Sequence, residues 1–555
     1  MIKLKYFVTI TTALVSVVNA LLPAVAFDQK PMMAAPPPHY AHDQPHQQPI
    51  QKTRQELRQE MGGLPESWLL SPKEKQQYIK DAFVFSWQGY RNYSWGYDEN
   101  RPISNSARNT RNGWGATIVD ALDTLYIMGL HEDFKDAQDY VASINWDKIK
   151  NDEPVQLFET VIRYVGGLLS AYDLSHEKVF IKKAVELVDK LLPAFDTPTG
   201  IPYQYVNFTS GEPVKSATAC LAEIGTIQIE FSRLSEITGN WRYHYVGQHV
   251  YDVFTSMHVK TFGLFPHLID VNTGDPIGDH VTWGGMGDSF YEYLIKQLVM
   301  SRGKDGVKKE MVSQIIASLK DKLLVNSPSD PSASFLAVLD GNRQNLQMDE
   351  LACFAPGSLL LAARTFPEDY KDLEKVAKRL MYGCYSAWDL TITGLAPEIF
   401  SWDTERKSNP IYHSEGKRPA VYPIHPSYIL RPETLESLYY FYVYTKNPMY
   451  QDMAWDIFNS LYTYCKGKSG YSGVRRVDVP QKTWDDREES FFFAETLKYL
   501  YLIFDDPEDP KFPFDKWVFN TEAHPLKITD TVPPPEHAKS GGRLFQQSWF
   551  NQHVL

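Results

Sequence analysis

The chain has no positive charge to spare. Its formal net charge is −12 and its pI about 5.7. That argues against a nucleic-acid partner, which needs a basic face, and allows a polyol or cation ligand. Cysteine is scarce as well: Cys220, Cys353, Cys384 and Cys465 are the four in 555 residues. In an oxidising compartment a pair can bridge, but spacing alone assigns no partners. Strand-like alternation is also scarce, so helices should carry the fold. Apolar and aromatic residues are plentiful, at 43% and 14%. They suffice for a sizeable core, in several domains or one large one.

The ends differ from the middle. "MIKLKYFVTITTALVSVVNALLPAVAFDQK" opens with Lys3 and Lys5, then runs apolar from Tyr6 to Phe27, with a small-residue cleavage site after Ala26. Residues 1–27 are a signal peptide or a type II membrane anchor. The run is long enough to span a bilayer, but its Thr, Ser and Asn residues and Pro23 weaken it as an anchor. Either way the chain enters the secretory pathway, to be secreted or held in the endoplasmic reticulum or Golgi lumen. The sequons at Asn92 and Asn207 suit glycosylation there. Residues 28–70, with "APPPHYAHDQPHQQP", read as a flexible Pro/Gln-rich stem, and 526–555 as a C-terminal tail.

Between them, residues 71–525 are a succession of apolar-periodic segments. "SPKEKQQYIKDAFVFSWQGY" begins with Ser71 as N-cap and Pro72 at the first helical position. Several apolar helices carry a carboxylate in or beside their apolar run. Glu159, Glu223 and Asp288, and later Glu433 and Glu495, follow one another at steps of about one helix pair. An α/α repeat closed into a ring would do this, with apolar helices inside and amphipathic ones outside. An irregular helical bundle is the alternative.

Glu159 and Arg163 are four residues apart, as are Asp288 and Glu292, while Glu433 and Glu436 are three apart behind Pro432. Each pair shares a helix face. A lone pair of this kind is usually a solvated surface feature. "FETVIRYVGGLLSAY", "DSFYEYLI" and "PETLESLYYFY" are too apolar for that. Buried carboxylates are costly unless paired, ligated or functional. Several together predict one acidic, aromatic cavity. Such a cavity can cleave a glycosidic bond with paired carboxylates or hold a hard cation such as Ca²⁺, while Phe491 can stack on a sugar ring.

Over residues 81 to 525 the chain resembles glycoside hydrolase family 47, the class I α1,2-mannosidases of N-glycan trimming. The strings that carry this include "AFVFSWQGYRNYSWGYDE", "LFETVIRYVGGLLSAY", "LAEIGTIQIEF", "DSFYEYLIKQ", "GLAPEIFSW", "LRPETLESLYY", "FFFAETLKYLYLIF" and "FNTEAHPL", in family order. The resemblance implies an all-α fold, an (α/α)7 barrel, and a Ca²⁺-dependent, inverting exo-hydrolase acting on oligomannose N-glycans of glycoproteins. A monomer is expected. By resemblance Glu159 is the acid, acting through a water, and Glu433 and Asp288 are the other two catalytic acids. Either of these could be the base, and Glu433 is favoured. Thr521 would bind Ca²⁺ through its carbonyl and hydroxyl. Glu223, Glu292, Glu398, Glu436, Glu495 and Glu522 would hold the ion's waters and the sugar hydroxyls. Arg163 and Arg431 would orient acids or glycan, and Phe491 would pack on the sugar. The family pattern also pairs Cys353 with Cys384, a bridge worth about 3–4 kcal/mol in the chain-entropy model. Cys220 and Cys465 are expected to be buried free thiols.

Two positions depart from that pattern. Met286 stands where members that remove one particular mannose carry Arg, which implies broader trimming toward five-mannose glycans. Glu350, in "MDELACF", stands where His is common, and it leaves branch preference open. The competing reading is a mannose-binding, lectin-like factor in degradation of misfolded glycoproteins. It keeps the same acids, but the compact core and the Cys353–Cys384 pair favour the enzyme.

Overall fold

The computed structural model describes residues 52–150, 153–402, 421–531 and 533. The expected signal or anchor segment, most of the stem and most of the tail lie outside them. Among the described residues no helix is long and apolar enough to cross a membrane.

Helix α1 (Arg54–Glu60) lies within the stretch read as stem. Thr53 caps it by accepting from the Glu56 N–H, and the Glu56 carboxylate accepts from the Thr53 N–H in return. Arg58 binds Asp456 at 2.5 Å, and Arg54 donates to the Thr391 carbonyl at 2.8 Å. Residues 52–70 are therefore built onto the barrel.

Seven inner helices follow. They are α3 (Ala116–Asp120 and Leu122–Ile127), α5 (Leu157–Glu159, a wide turn over Thr160–Val165, then Gly166–Ser175), α7 (Leu221–Ile224 and Gln228–Thr238), α9 (Asp288–Met300), α11 (Glu350–Phe354 and Ala355–Thr365), α13 (Glu433–Thr445) and α15 (Phe492–Thr496 and Leu497–Leu502). The outer helices are α2 (Pro72–Tyr93), α4 (His131–Ser143), α6 (Lys178–Leu191), α8 (Arg242–Ser256), α10 (Gly306–Ser318 and Leu319–Leu323), α12 (Leu373–Asp389) and α14 (Met449–Ser460 and Leu461–Cys465). Each inner helix packs on the outer helix that follows it, and α15 packs on α2. Each inner helix also packs on the next inner one, and α15 closes the ring on α3. The result is an (α/α)7 barrel.

The sorting follows from side-chain pattern. Helix α9 is buried without a break from Ser289 to Val299, and α13 from Thr434 to Tyr442. A helix apolar all round has to sit inside. Helix α6 instead buries one stripe, Phe180, Ala184, Leu187, Val188 and Leu191, and turns lysines outward.

Short antiparallel strands lead into the inner helices. Val155–Gln156 enters α5, Thr218–Cys220 enters α7 and Gln347–Asp349 enters α11. A last hairpin, Trp517–Phe519 paired with Pro525–Lys527, extends the ordered barrel past residue 525 into the expected tail. At its tip, Asn520 Nδ2 donates to the Ile162 carbonyl at 2.9 Å and to Glu230 at 2.8 Å. Thr521 Oγ1 donates to Glu292 at 2.7 Å, and Lys498 Nζ donates to the Ala523 carbonyl at 2.7 Å. His524 lies 2.8 Å from Asp123. A tip that touches α3, α5, α7, α9 and α15 stands on the barrel axis and closes it. Gly166 makes room for it, since a Cβ there would come 2.5 Å from Asn520 Nδ2.

The Cys353–Cys384 disulfide forms, with Cα atoms 5.8 Å apart, and it ties α11 to α12. Cys220 and Cys465 are buried and free. Asn92 is exposed at the end of α2. Asn207 is half-buried, and its side-chain oxygen accepts from the Thr209 and Ser210 N–H groups.

Candidate active site

The inner helices run in one direction, so their N-termini gather at one mouth. The acids sit there: Glu159 and Glu223 in first turns, and Asp288, Glu350 and Glu433 at first positions. The partial positive charge at each N-terminus favours carboxylates in that place. They form two tiers. Glu159, Glu223, Asp288, Glu398 and Glu433 are half-buried, as are Arg431 and Thr521. Glu292, Glu436, Glu495 and Glu522 lie deeper and are buried, with Arg163 and Phe491. The structure thus brings together every acid singled out from the sequence.

The environments of the three expected catalytic acids differ. Arg163 Nε meets Glu159 Oε2 at 2.7 Å, and Arg111 grips both oxygens at 3.1 and 3.3 Å. Burial pushes the Glu159 carboxyl up, but the two arginines outweigh it and bring it down to about 2. Asp288 has no such cation. Burial, with Glu292 and Glu433 nearby, pushes it up to about 7 against the Ser289 N–H bond. Glu433 lies 3.9 Å from Arg431 Nη1, whose Nε is committed to Glu398 at 2.6 Å. Burial also lifts Glu223 to about 7, although Gln204 and Gln156 donate to it at 2.7 and 3.0 Å.

The deep tier is short of positive charge. Lys296, fully buried, binds Glu292 and reaches Glu436 at 3.4 Å. Arg163 binds Glu522 and lies 5.8 Å from the centre of the Phe491 ring. Even so, burial and neighbouring acids push Glu436 and Glu522 up to about 8 and Glu495 well above its ordinary range. Among the described residues no three His, Cys, Asp or Glu side chains converge as a metal cage by themselves. The donors around Thr521 are all oxygen, and the charge they carry is one a hard divalent cation would offset. The residues therefore fit such an ion.

Sequence reasoning missed Arg111, Gln156, Gln204 and Lys296. Lys296 could have been found, because it lies four residues after Glu292. Arg111 is 48 residues from Glu159 on a loop, with no periodic relation to it. Met286, at the rim before α9, is 46% exposed and has a φ of 74°. Its carbonyl accepts from the Ala222 N–H at 2.9 Å and the Cys220 thiol at 3.3 Å.

A ring of carboxylates at one end of an α/α barrel, floored by a hairpin, has the paired acids that glycosidic hydrolysis needs. The model of glycosyl hydrolase family 47 matches residues 82–528, and the chain belongs to that family. It is a glycoside hydrolase. It is 42% identical to the mannosyl-oligosaccharide 1,2-alpha-mannosidase MNS1 of Arabidopsis thaliana, covering 82% of this chain and 79% of the relative. It is 37% identical to the mannosyl-oligosaccharide alpha-1,2-mannosidase of Coccidioides posadasii, covering 82% and 91%. The structure of an alpha-1,2-mannosidase from Trichoderma reesei superposes with a TM-score of 0.78 at 31% identity, over 83% of this chain and all of that one.

Proposed function

We propose that the chain is an exo-acting, inverting glycosidase that removes terminal α1,2-linked mannose from oligomannose N-glycans. The observation that carries this is the cluster of carboxyls at the N-terminal ends of the inner helices, floored by the hairpin tip. A site floored in this way suits chain ends, not chain interiors. The relatives' names supply the sugar and linkage. In an inverting hydrolase one carboxyl protonates the leaving oxygen while another takes a proton from water on the opposite face. Glu433 is the base in this reading. Glu159, pinned as an anion by two arginines, is not a store of protons at neutral pH. The resemblance makes Glu159 the acid, acting through a water; Asp288, raised by burial to about 7, is the carboxyl here that can hold the proton which that water relays. Phe491 packs on the sugar, and Arg163 and Arg431 hold the acids in place.

Thr521 would hold Ca²⁺ through its carbonyl and hydroxyl, with Glu223, Glu292, Glu398, Glu436, Glu495 and Glu522 taking its waters and the sugar hydroxyls. When bound, the ion supplies positive charge for the mannose hydroxyls and for ring distortion. Met286 in place of a rim arginine supports broad trimming toward five-mannose glycans. The disulfide and the relatives' glycan substrates suit the secretory pathway, and a monomer suffices because every named group comes from one chain.

The test is mannose release from an α1,2-linked disaccharide, with and without thorough chelation. Release should be lost on chelation and restored by added Ca²⁺. Activity indifferent to chelation would remove the ion, and binding of oligomannose without any release would favour the lectin-like alternative.

A further inference from the structure

Glu350 begins α11 and is 1% exposed, deeper than any of the three acids above. Its Oε1 accepts twice from Thr434, from the N–H at 3.2 Å and from the hydroxyl at 2.7 Å. Its Oε2 is buried and has no donor. The Glu433 carboxylate lies within hydrogen-bonding reach of the Glu350 carboxyl, and its own Oε2 is likewise buried without a donor. Two acceptor-only oxygens cannot satisfy each other, and leaving both unpaired is costly. One proton between them satisfies both.

The surroundings say which residue carries that proton. The groups facing the pair are Glu436 and Arg431 on and before α13, Asp288 on α9, Glu495 on α15, Glu398 on the strand-side loop and the Tyr428 phenol. Arg431 is bonded to Glu398. A second negative charge beside Glu433 would face four further carboxyls. Burial, then the Glu433 charge, pushes the Glu350 carboxyl well above its ordinary range.

Building on Glu433 as the base, we propose that Glu350 is a positioning residue for the hydrolysis. It holds a proton on Oε2 and donates it as a hydrogen bond to Glu433, fixing that carboxylate ionised and aimed at the attacking water. No proton leaves Glu350 in the step: the water proton goes to Glu433, and the hydroxyl bonds the sugar carbon as the glycosidic C–O bond breaks and its oxygen takes the proton from the acid. This position takes a neutral donor, which explains how an acid can stand there at all.

The test compares E350Q with E350M in the Ca²⁺-loaded enzyme. The side chains are similar in size, but only Gln can donate. Thr434 fixes the amide oxygen, so the amide nitrogen faces Glu433. In E350M kcat should fall at least about tenfold with KM little changed, and the acid limb of the pH–rate profile should move up by about one pH unit, because Glu433 loses the donor that favours its charged form. E350Q should restore both toward wild type. An acid limb unmoved in E350M, or no recovery in a folded E350Q, overturns the proposal. Should E350M fail to fold, the infrared difference between wild type and E350Q at pH 7 decides. A protonated-carboxyl stretch lost in E350Q supports the proposal, and its absence overturns it. E433Q separates the two claims: an active E433Q refutes the base assignment, whereas an inactive E433Q beside wild-type-like E350M refutes the role of Glu350 alone.

Discussion

Glu159 and Asp288 are both half-buried carboxyls in the first turn of an inner helix, yet their protons are governed oppositely. Two arginines decide one and burial decides the other. The consequence is a pH profile that one residue should control. Activity of wild type should fall as pH rises through about 7, where Asp288 gives up its proton. D288N should lose about 10²–10⁴ in rate and that alkaline limb with it. E159Q should be slower but keep the limb where it is. A limb that moves with Glu159 instead would return the proton to that residue.

At the scale of elements, the hairpin at 517–527 and the glycine pair Gly166–Gly167 belong together. The tip can reach the axis only because α5 presents no side chain at Gly166, and α5 can approach α3 only because a Cβ on Gly167 would come 2.6 Å from the Val119 carbonyl. G166A should therefore cost about 1–3 kcal/mol through overpacking, read by thermal unfolding. It should also weaken activity by displacing Thr521. A G166A protein of unchanged stability would mean the tip can retreat freely. The reading of residues 28–70 as stem came from composition, which sees Pro and Gln but not the capping box at Thr53 that lets α1 form and dock.

Among the described residues buried acids outnumber buried bases, and this sets stability against pH. Glu436 and Glu522 are raised to about 8 when folded. Their contribution is fully present below the unfolded carboxylate range, about 4, and is lost as pH rises through 8. Asp123 is the opposite case. Burial would raise it, but Lys498 and His524 pull it down to about 2, so its contribution is present above about 4 and lost as pH falls through 2. Metal-stripped protein should therefore melt highest near pH 4–5 and progressively lower toward pH 8, with Ca²⁺ restoring the loss. A stripped protein whose melting temperature is level from pH 5 to 8 would show that the deep acids do not repel one another.

The sequence by itself determined the helices, their sorting into inner and outer, and the acids that gather at the inner-helix N-termini. Those follow from periodicity and from the cost of burying a charge, both local properties of the chain. Only the tertiary structure decided what each acid can do. Arg111 reaches Glu159, Lys296 bridges Glu292 and Glu436, and Glu350 meets Glu433 only once the ring has closed. Proton affinity depends on neighbours a few ångströms away, and here many of those neighbours lie tens of residues or more along the chain.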